Sequence, residues 1–165
     1  IYAVLSGNNE LGMGPFQKHM HAFDTIPLFE DNRYLVISPG HPLAERVLSG
    51  DESATRQIPL IAAWLDDPDQ RPAMERIRDQ FAAPWQISSL RLRLELIASG
   101  LGVGYINGKT LREDSLCANL RVIEALPYAS IERSVGIYYQ KGRLLSPAAE
   151  AYIEICREHW QHTAA

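Results

Sequence analysis

The sequence offers little to disulfide or thiolate chemistry: Cys117 and Cys156 are its two cysteines. They stand apart, with no CxxC pair and no His/Cys ligand spacing, so neither a disulfide scaffold nor a zinc site is expected. Two reduced thiols in a cytosolic chain is the simpler reading, with a redox switch as the alternative. No apolar run approaches the roughly 20 residues needed to span a membrane, and no membrane partner is expected. Basic residues are not in excess either. Lys and Arg number 16 against 20 Asp and Glu, a net charge of −4, which argues against this segment binding nucleic acid itself. Enzyme signatures are missing too: there is no GxSxG, no HExxH and no P-loop. The run GLGVG follows a helix and opens a strand, the reverse of a dinucleotide fingerprint. His19 and His21 flank Met20 without a Cys or acidic partner at ligand spacing, so no metal is expected. No catalytic residue and no cofactor are expected. Repeats and low-complexity tracts are absent. The chain opens at Ile1 as if inside an element, which leads us to expect a fragment.

What is present is organised around residues 87–107, ISSLRLRLELIASGLGVGYIN. Ser88 and Ser89 are residue types that cap helix N-termini, and Gly100 sits where a left-handed residue ends a helix. The near-uncharged GLGVGYI that follows suits a strand buried on both faces. LRLRLEL also alternates with period 2, but the caps favour a helix. So do Leu90, Leu94, Ile97 and Leu101, which share one face at i, i+4, i+7 and i+11. Leu92 and Leu96 remain on another face, so this helix needs a second partner.

Around this stretch the pattern predicts the last turn of a helix at 1–5, a strand at 11–13 broken by Gly14-Pro15, and extended segments at 23–30 and 32–38. Pro39-Gly40-His41-Pro42 ends the last of these. A strand at 58–64, a helix from Pro72 with Met74, Ile77 and Phe81 inward and closed by Pro84, and extended chain at 85–88 lead into the central helix. The span 58–106 thus reads β-α-β-α-β, which predicts parallel strands with right-handed crossovers. Beyond it come a weak helix at 109–117, a strand at 120–126, a strand at 132–140 with Val135, Ile137 and Tyr139 on one face, and a final helix. Ser146-Pro147 starts that helix as cap and first residue. Its apolar stripe is Ala149, Tyr152, Ile153, Cys156 and Trp160.

Four phrases in this order, ELGMGPF, PLFEDNRYLVISPGHPLA, SLRLRLELIASGLGVGYI and GIYYQKGRLLSPAAEAYIEI, resemble the effector-binding domain of LysR-type transcriptional regulators. The resemblance runs from Leu11 to about Glu158. Two departures stand out: Asn107 occupies the region where the family usually has Pro, and the family's opening strand, helix and second strand have no counterpart. The resemblance implies an α/β fold of two lobes, like type 2 periplasmic binding proteins, joined by two crossing hinge strands. On this chain the crossings would be 34–41 and 131–138. Residues 1–38 and 136–165 would form an incomplete first lobe and 39–135 the second. Ser38 and His41 would be hinge residues, and Leu92 with Leu96 would enter a dimer interface.

A ligand between two such lobes sits at strand C-termini and helix N-termini. Gly14, Pro15 and Phe16 follow the first strand, Trp64 follows the strand from Ile58, and Ser88 and Ser89 start the central helix. Asn107 ends the next strand. Unpaired N–H groups at a helix start favour an anion, so the expected partner is a small effector, a carboxylate or similar, with Phe16 and Trp64 as apolar walls. Capping alone explains Ser88 and Ser89 equally, and packing alone explains Trp64. Arg91 and Arg93 read as a solvated face within reach of an acid. The resemblance further implies a cytoplasmic homodimer or tetramer that meets DNA only through a helix-turn-helix absent here. A periplasmic solute-binding protein shares the architecture and is the alternative; an enzyme built on the same lobes, of prephenate dehydratase or deaminase type, comes third.

Overall fold

In the computed structural model, residues 1–17, 20–63 and 71–161 are described, the side chains of 71–74 and 161 excepted. In chain order the elements are α1 (Tyr2–Leu5), β1 (Gly12–Pro15), β2 (Phe23–Glu30), β3 (Arg33–Ile37), α2 (Ala44–Leu48), α3 (Glu52–Thr55), β4 (Leu60–Ala62) and α4 (Arg71–Arg78). Then follow β5 (Pro84–Gln86), α5 (Leu90–Ala98), β6 (Val103–Asn107), α6 (Gly108–Glu113), a 3-10 turn (Ser115–Cys117), β7 (Arg121–Val122), β8 (Ser130–Ile131), β9 (Ser134–Gln140) and α7 (Pro147–Gln161). The chain divides into two compact units, Ile1–Asp31 with Arg133–Ala165, and Asn32–Glu132.

The first unit is a three-stranded antiparallel sheet in the order β1-β9-β2. Successive side chains of β9 face opposite ways, as a pleated strand requires. Ile137 packs with Ile153 and Cys156 of α7, while Tyr138 packs with Val4 and Phe23. Ser146 caps α7, its hydroxyl accepting from the Ala149 N–H at 3.2 Å, with Pro147 as the first helical residue. Of the expected stripe on α7, Ala149, Ile153 and Cys156 are buried, but Tyr152 is 46% exposed.

The second unit carries a mixed sheet in the order β5-β4-β6-β3-β7, with β8 also on β3. β4 is parallel to both β5 and β6, as the β-α-β-α-β pattern predicts, and β3 runs antiparallel to β6. Leu35 and Ile37 face one core with Val103 and Tyr105; Val36, Ile61 and Ile106 face another, sealed by Leu94 and Ile97 of α5. Gly104 makes that seal possible: a Cβ there would lie 2.5 Å from Ile97 Cδ1 and 2.7 Å from the Ile61 carbonyl oxygen. Gly100, at φ +75°, ends α5.

Several expectations change. β3 pairs along its whole length with β6, so residues 33–38 join the second unit and the chain divides at Asp31/Asn32 and Glu132/Arg133, not after residues 38 and 135. Between the turn at 39–42 and β4, where the pattern predicts no helix, Glu52–Thr55 forms α3, with Asp51 as its cap. Of the strand expected at 120–126, Arg121–Val122 forms β7 on β3, and the Ile123 N–H still donates to the Leu35 carbonyl at 2.9 Å before the chain turns away. The helix expected to run to Pro84 ends at Arg78, and Pro84 begins β5. Leu90 and Leu101, placed by periodicity with Leu94 and Ile97, are 40% and 47% exposed; Leu90 is the first residue of α5, and Leu101 lies past its C-cap Ser99 and the Gly100 turn, off the helix altogether.

Candidate functional site

Parallel strands send their C-terminal ends to the same edge of a sheet, and helices start there. In the second unit β5 runs into Ile87-Ser88-Ser89 and α5, and β6 runs through Asn107 into α6. Ser89 is the N-cap of α5, its hydroxyl accepting from the Leu92 N–H at 3.3 Å. Asn107 caps α6, its side-chain oxygen accepting from the Thr110 N–H at 2.7 Å. Ser88 and Ser89 are exposed while Asn107 is half-buried. Trp64, which follows β4, lies outside the described residues. Ser88, Ser89 and Asn107 therefore share one end of one sheet, in the order the strand connectivity dictates.

The charge on α5 divides unequally. Arg91 pairs with Glu95 through Nε at 2.8 Å, both exposed. Arg93 is less accessible; its Nε is buried without a hydrogen-bond partner among the described residues, and desolvation lowers its pKa. A guanidinium does not deprotonate at neutral pH, so this helix keeps a partly desolvated cation.

Gly14, Pro15 and Phe16 belong to the first unit. Gly14 and Pro15 pair with Gly136 and Val135 of β9. The Phe16 N–H donates to the Ser134 carbonyl at 2.9 Å, and its ring packs beside Gly136, where a Cβ would meet Cζ at 2.5 Å. Ser38 and His41 form the turn that follows β3. Ser38 is buried and accepts from the Gly40 N–H, and His41 Nδ1 accepts from the Leu43 N–H at 3.1 Å. Burial pushes the His41 pKa down, and the neutral ring fits that acceptor role. Both residues lie inside the second unit, apart from the points where the chain passes between units. Leu92 is 45% exposed, whereas Leu96 packs partly buried on the α5 core.

Sequence reasoning missed a groove of about 430 Å³ in the second unit, lined by Tyr34, Leu111, Arg112, Val122, Glu124 and Ser130 among others. Its walls come from three separated segments, so no local pattern announces it. Among the described residues no cluster of His, Cys, Asp or Glu is arranged to hold a metal, and no described helix is long and apolar enough to cross a membrane. His19 is outside the described residues.

Comparison with known proteins gives this geometry a family. The regulatory domain of CcmR from Synechocystis PCC6803 in complex with 2-PG is 14% identical, with a TM-score of 0.67 over 96% of this chain and 77% of that one. The bromide-bound regulatory domain of HypT from Salmonella typhimurium is 17% identical, with a TM-score of 0.68 over 98% and 77%. The effector-binding domain of QuiR in complex with shikimate is 15% identical, with a TM-score of 0.64 over 98% and 76%. No match was found among curated proteins. The two-lobed α/β fold of type 2 periplasmic binding proteins, implied by the resemblance, is the fold of these domains. Residues 2–161 match the family described as the LysR substrate binding domain, and the chain belongs to that family.

Proposed function

We propose that this chain is the sensing part of a LysR-type transcriptional regulator and binds a small anionic effector at the α5 end of its parallel strands. The observation that carries the reading is the shared sheet end of Ser88, Ser89 and Asn107, with the partly desolvated Arg93 on the helix that Ser89 caps. A helix start presents unpaired N–H groups and partial positive charge, and a nearby cation adds to both. Trp64 is proposed as an apolar wall at the same end. Gly14, Pro15 and Phe16 are the corresponding candidates of the first unit. Relatives in complex with 2-PG, bromide and shikimate support a ligand of small size and polar character.

Effector binding would act by favouring one of two conformations, and only to the extent that it binds them unequally. The change would pass to a second copy and to DNA-binding domains outside this sequence. In this reading Leu92 and Leu96 supply a dimer contact, and replacing both by Glu yields monomers in light scattering; an unchanged dimer overturns that role. The anion reading is tested by a thermal-shift screen of small carboxylates. At least one raises the melting temperature, and the rise disappears in the Ser88→Ala/Ser89→Ala double variant. If no acid produces a shift, the anion reading falls.

A further inference from the structure

The groove of the second unit is a different place from the caps of α5, and its chemistry is more particular. Tyr34 and Leu111, with Val122, Ile123 and Ala129, line it with apolar surface, and Arg112 and Glu124 bring opposite charges to it. The two charged groups form no salt bridge with one another, and neither has an ion-pair or hydrogen-bond partner among the described residues. Both residues are exposed, so neither charge is held there to satisfy a buried counter-charge. Gly108 keeps a wall of the groove thin, since a Cβ there would come within 3.3 Å of both Arg112 Nη1 and the Tyr34 ring. A volume of about 430 Å³ lies toward the lower end of small-ligand pockets, roughly 300–1,000 Å³. That suits a molecule of amino-acid size and is too little for a dinucleotide.

We propose that this groove is a second ligand site, for a small zwitterion of the apolar α-amino-acid class. Its carboxylate pairs with Arg112, its ammonium with Glu124, and its side chain lies over Leu111, Val122 and the Tyr34 ring. Charge complementarity identifies the class. A simple acid leaves Glu124 facing it unpaired, a simple amine leaves Arg112 so, and a zwitterion satisfies both. The site is independent of the effector proposal, because it shares none of its residues.

Calorimetric titration of the intact protein with L-leucine tests it, with 4-methylpentanoate and 3-methylbutylamine as the probes that keep only one charge. L-Leucine gives saturable binding, and each single-charge probe binds about tenfold more weakly or worse. Arg112→Gln makes L-leucine and 3-methylbutylamine bind alike, and Glu124→Gln does the same for L-leucine and 4-methylpentanoate. Gly108→Val narrows the groove and weakens all three. Melting temperatures of the two charge variants stay unchanged, which separates lost recognition from lost folding. Ser88→Ala/Ser89→Ala leaves leucine binding intact. The proposal is overturned if neither L-leucine nor L-phenylalanine binds, if binding ignores both charge variants, or if the serine variant abolishes it.

Discussion

The two units solve the same burial problem with different resources. Asn32–Glu132 closes both faces of its sheet: α5 covers Val36, Ile61 and Ile106, while α2, α3 and the 123–131 stretch line the other core. The unit of Ile1–Asp31 and Arg133–Ala165 has three strands and leans on α7 for one face, where Ile137, Ile153 and Cys156 meet. Its other face has Val4, Phe23 and Tyr138, beside a four-residue helix whose Tyr2 is 87% exposed. A sheet covered on both faces removes more apolar surface from water per strand, and stability follows that area. The second unit should therefore respond more sharply to loss of core volume.

The largest expected effect tests this directly. Ile97→Ala empties a site with 0% exposure under Gly104 and lowers the unfolding free energy by about 3–5 kcal/mol in urea titration, the upper part of the range for such truncations. Ile153→Ala, on the thinner α7 layer, costs about 2–3 kcal/mol because its surroundings relax more easily. Equal losses would break the comparison. Next in size come the close-packed glycines of each unit. Gly104→Ala presses on Ile97 and on the Ile61 carbonyl, and Gly136→Ala lands 2.1 Å from the Ile26 carbonyl oxygen. Backbone cannot swing aside as a side-chain tip can, so each costs about 1–3 kcal/mol. The loss is larger for Gly136→Ala, whose closest neighbour is backbone, and thermal melts read the order.

Acid titration is the smallest effect. Asp51 accepts from the Ser53 hydroxyl and N–H and from Arg46, which hold its carboxyl at about 2. Glu10, in the first unit, is lowered by the Ser146 N–H and hydroxyl that it accepts from. A depressed carboxyl contributes its stability above the unfolded-state pKa and loses it as pH falls through the folded-state value. For Asp51 that window runs from 3.8 down to about 2. Asp51→Asn therefore flattens the acid limb of the stability curve there, and Glu10→Gln does so at the start of α7. Both groups are solvent-facing, so salt reduces each effect.

Legibility in the sequence followed locality. The central helix with its serine cap and glycine stop, the buried strand after it and the Ser-Pro start of α7 were all readable, because caps and periodicity act within a few residues. The same holds for the order β-α-β-α-β and for Ser88, Ser89 and Asn107 as residues at strand ends. Exposure of Leu90 and Leu101 was not readable, since periodicity assigns a face but not where the helix that carries it begins and ends: α5 starts at Leu90 and stops at Ala98, before Leu101. Nor was the allegiance of residues 33–38, which depends on β6 accepting β3 as a partner some 70 residues away in sequence.

By itself the sequence determined the central helix with its caps, the Ser-Pro start of α7, the parallel core and the family resemblance. All of these rest on short-range sterics and on patterns that survive without knowledge of contacts. The tertiary structure alone decided where the chain divides, which leucines of α5 are covered, and that Arg112 and Glu124 face one groove. Those facts depend on which distant segments meet, and meeting is settled by burial and strand pairing over the whole unit, not by any residue's immediate neighbours.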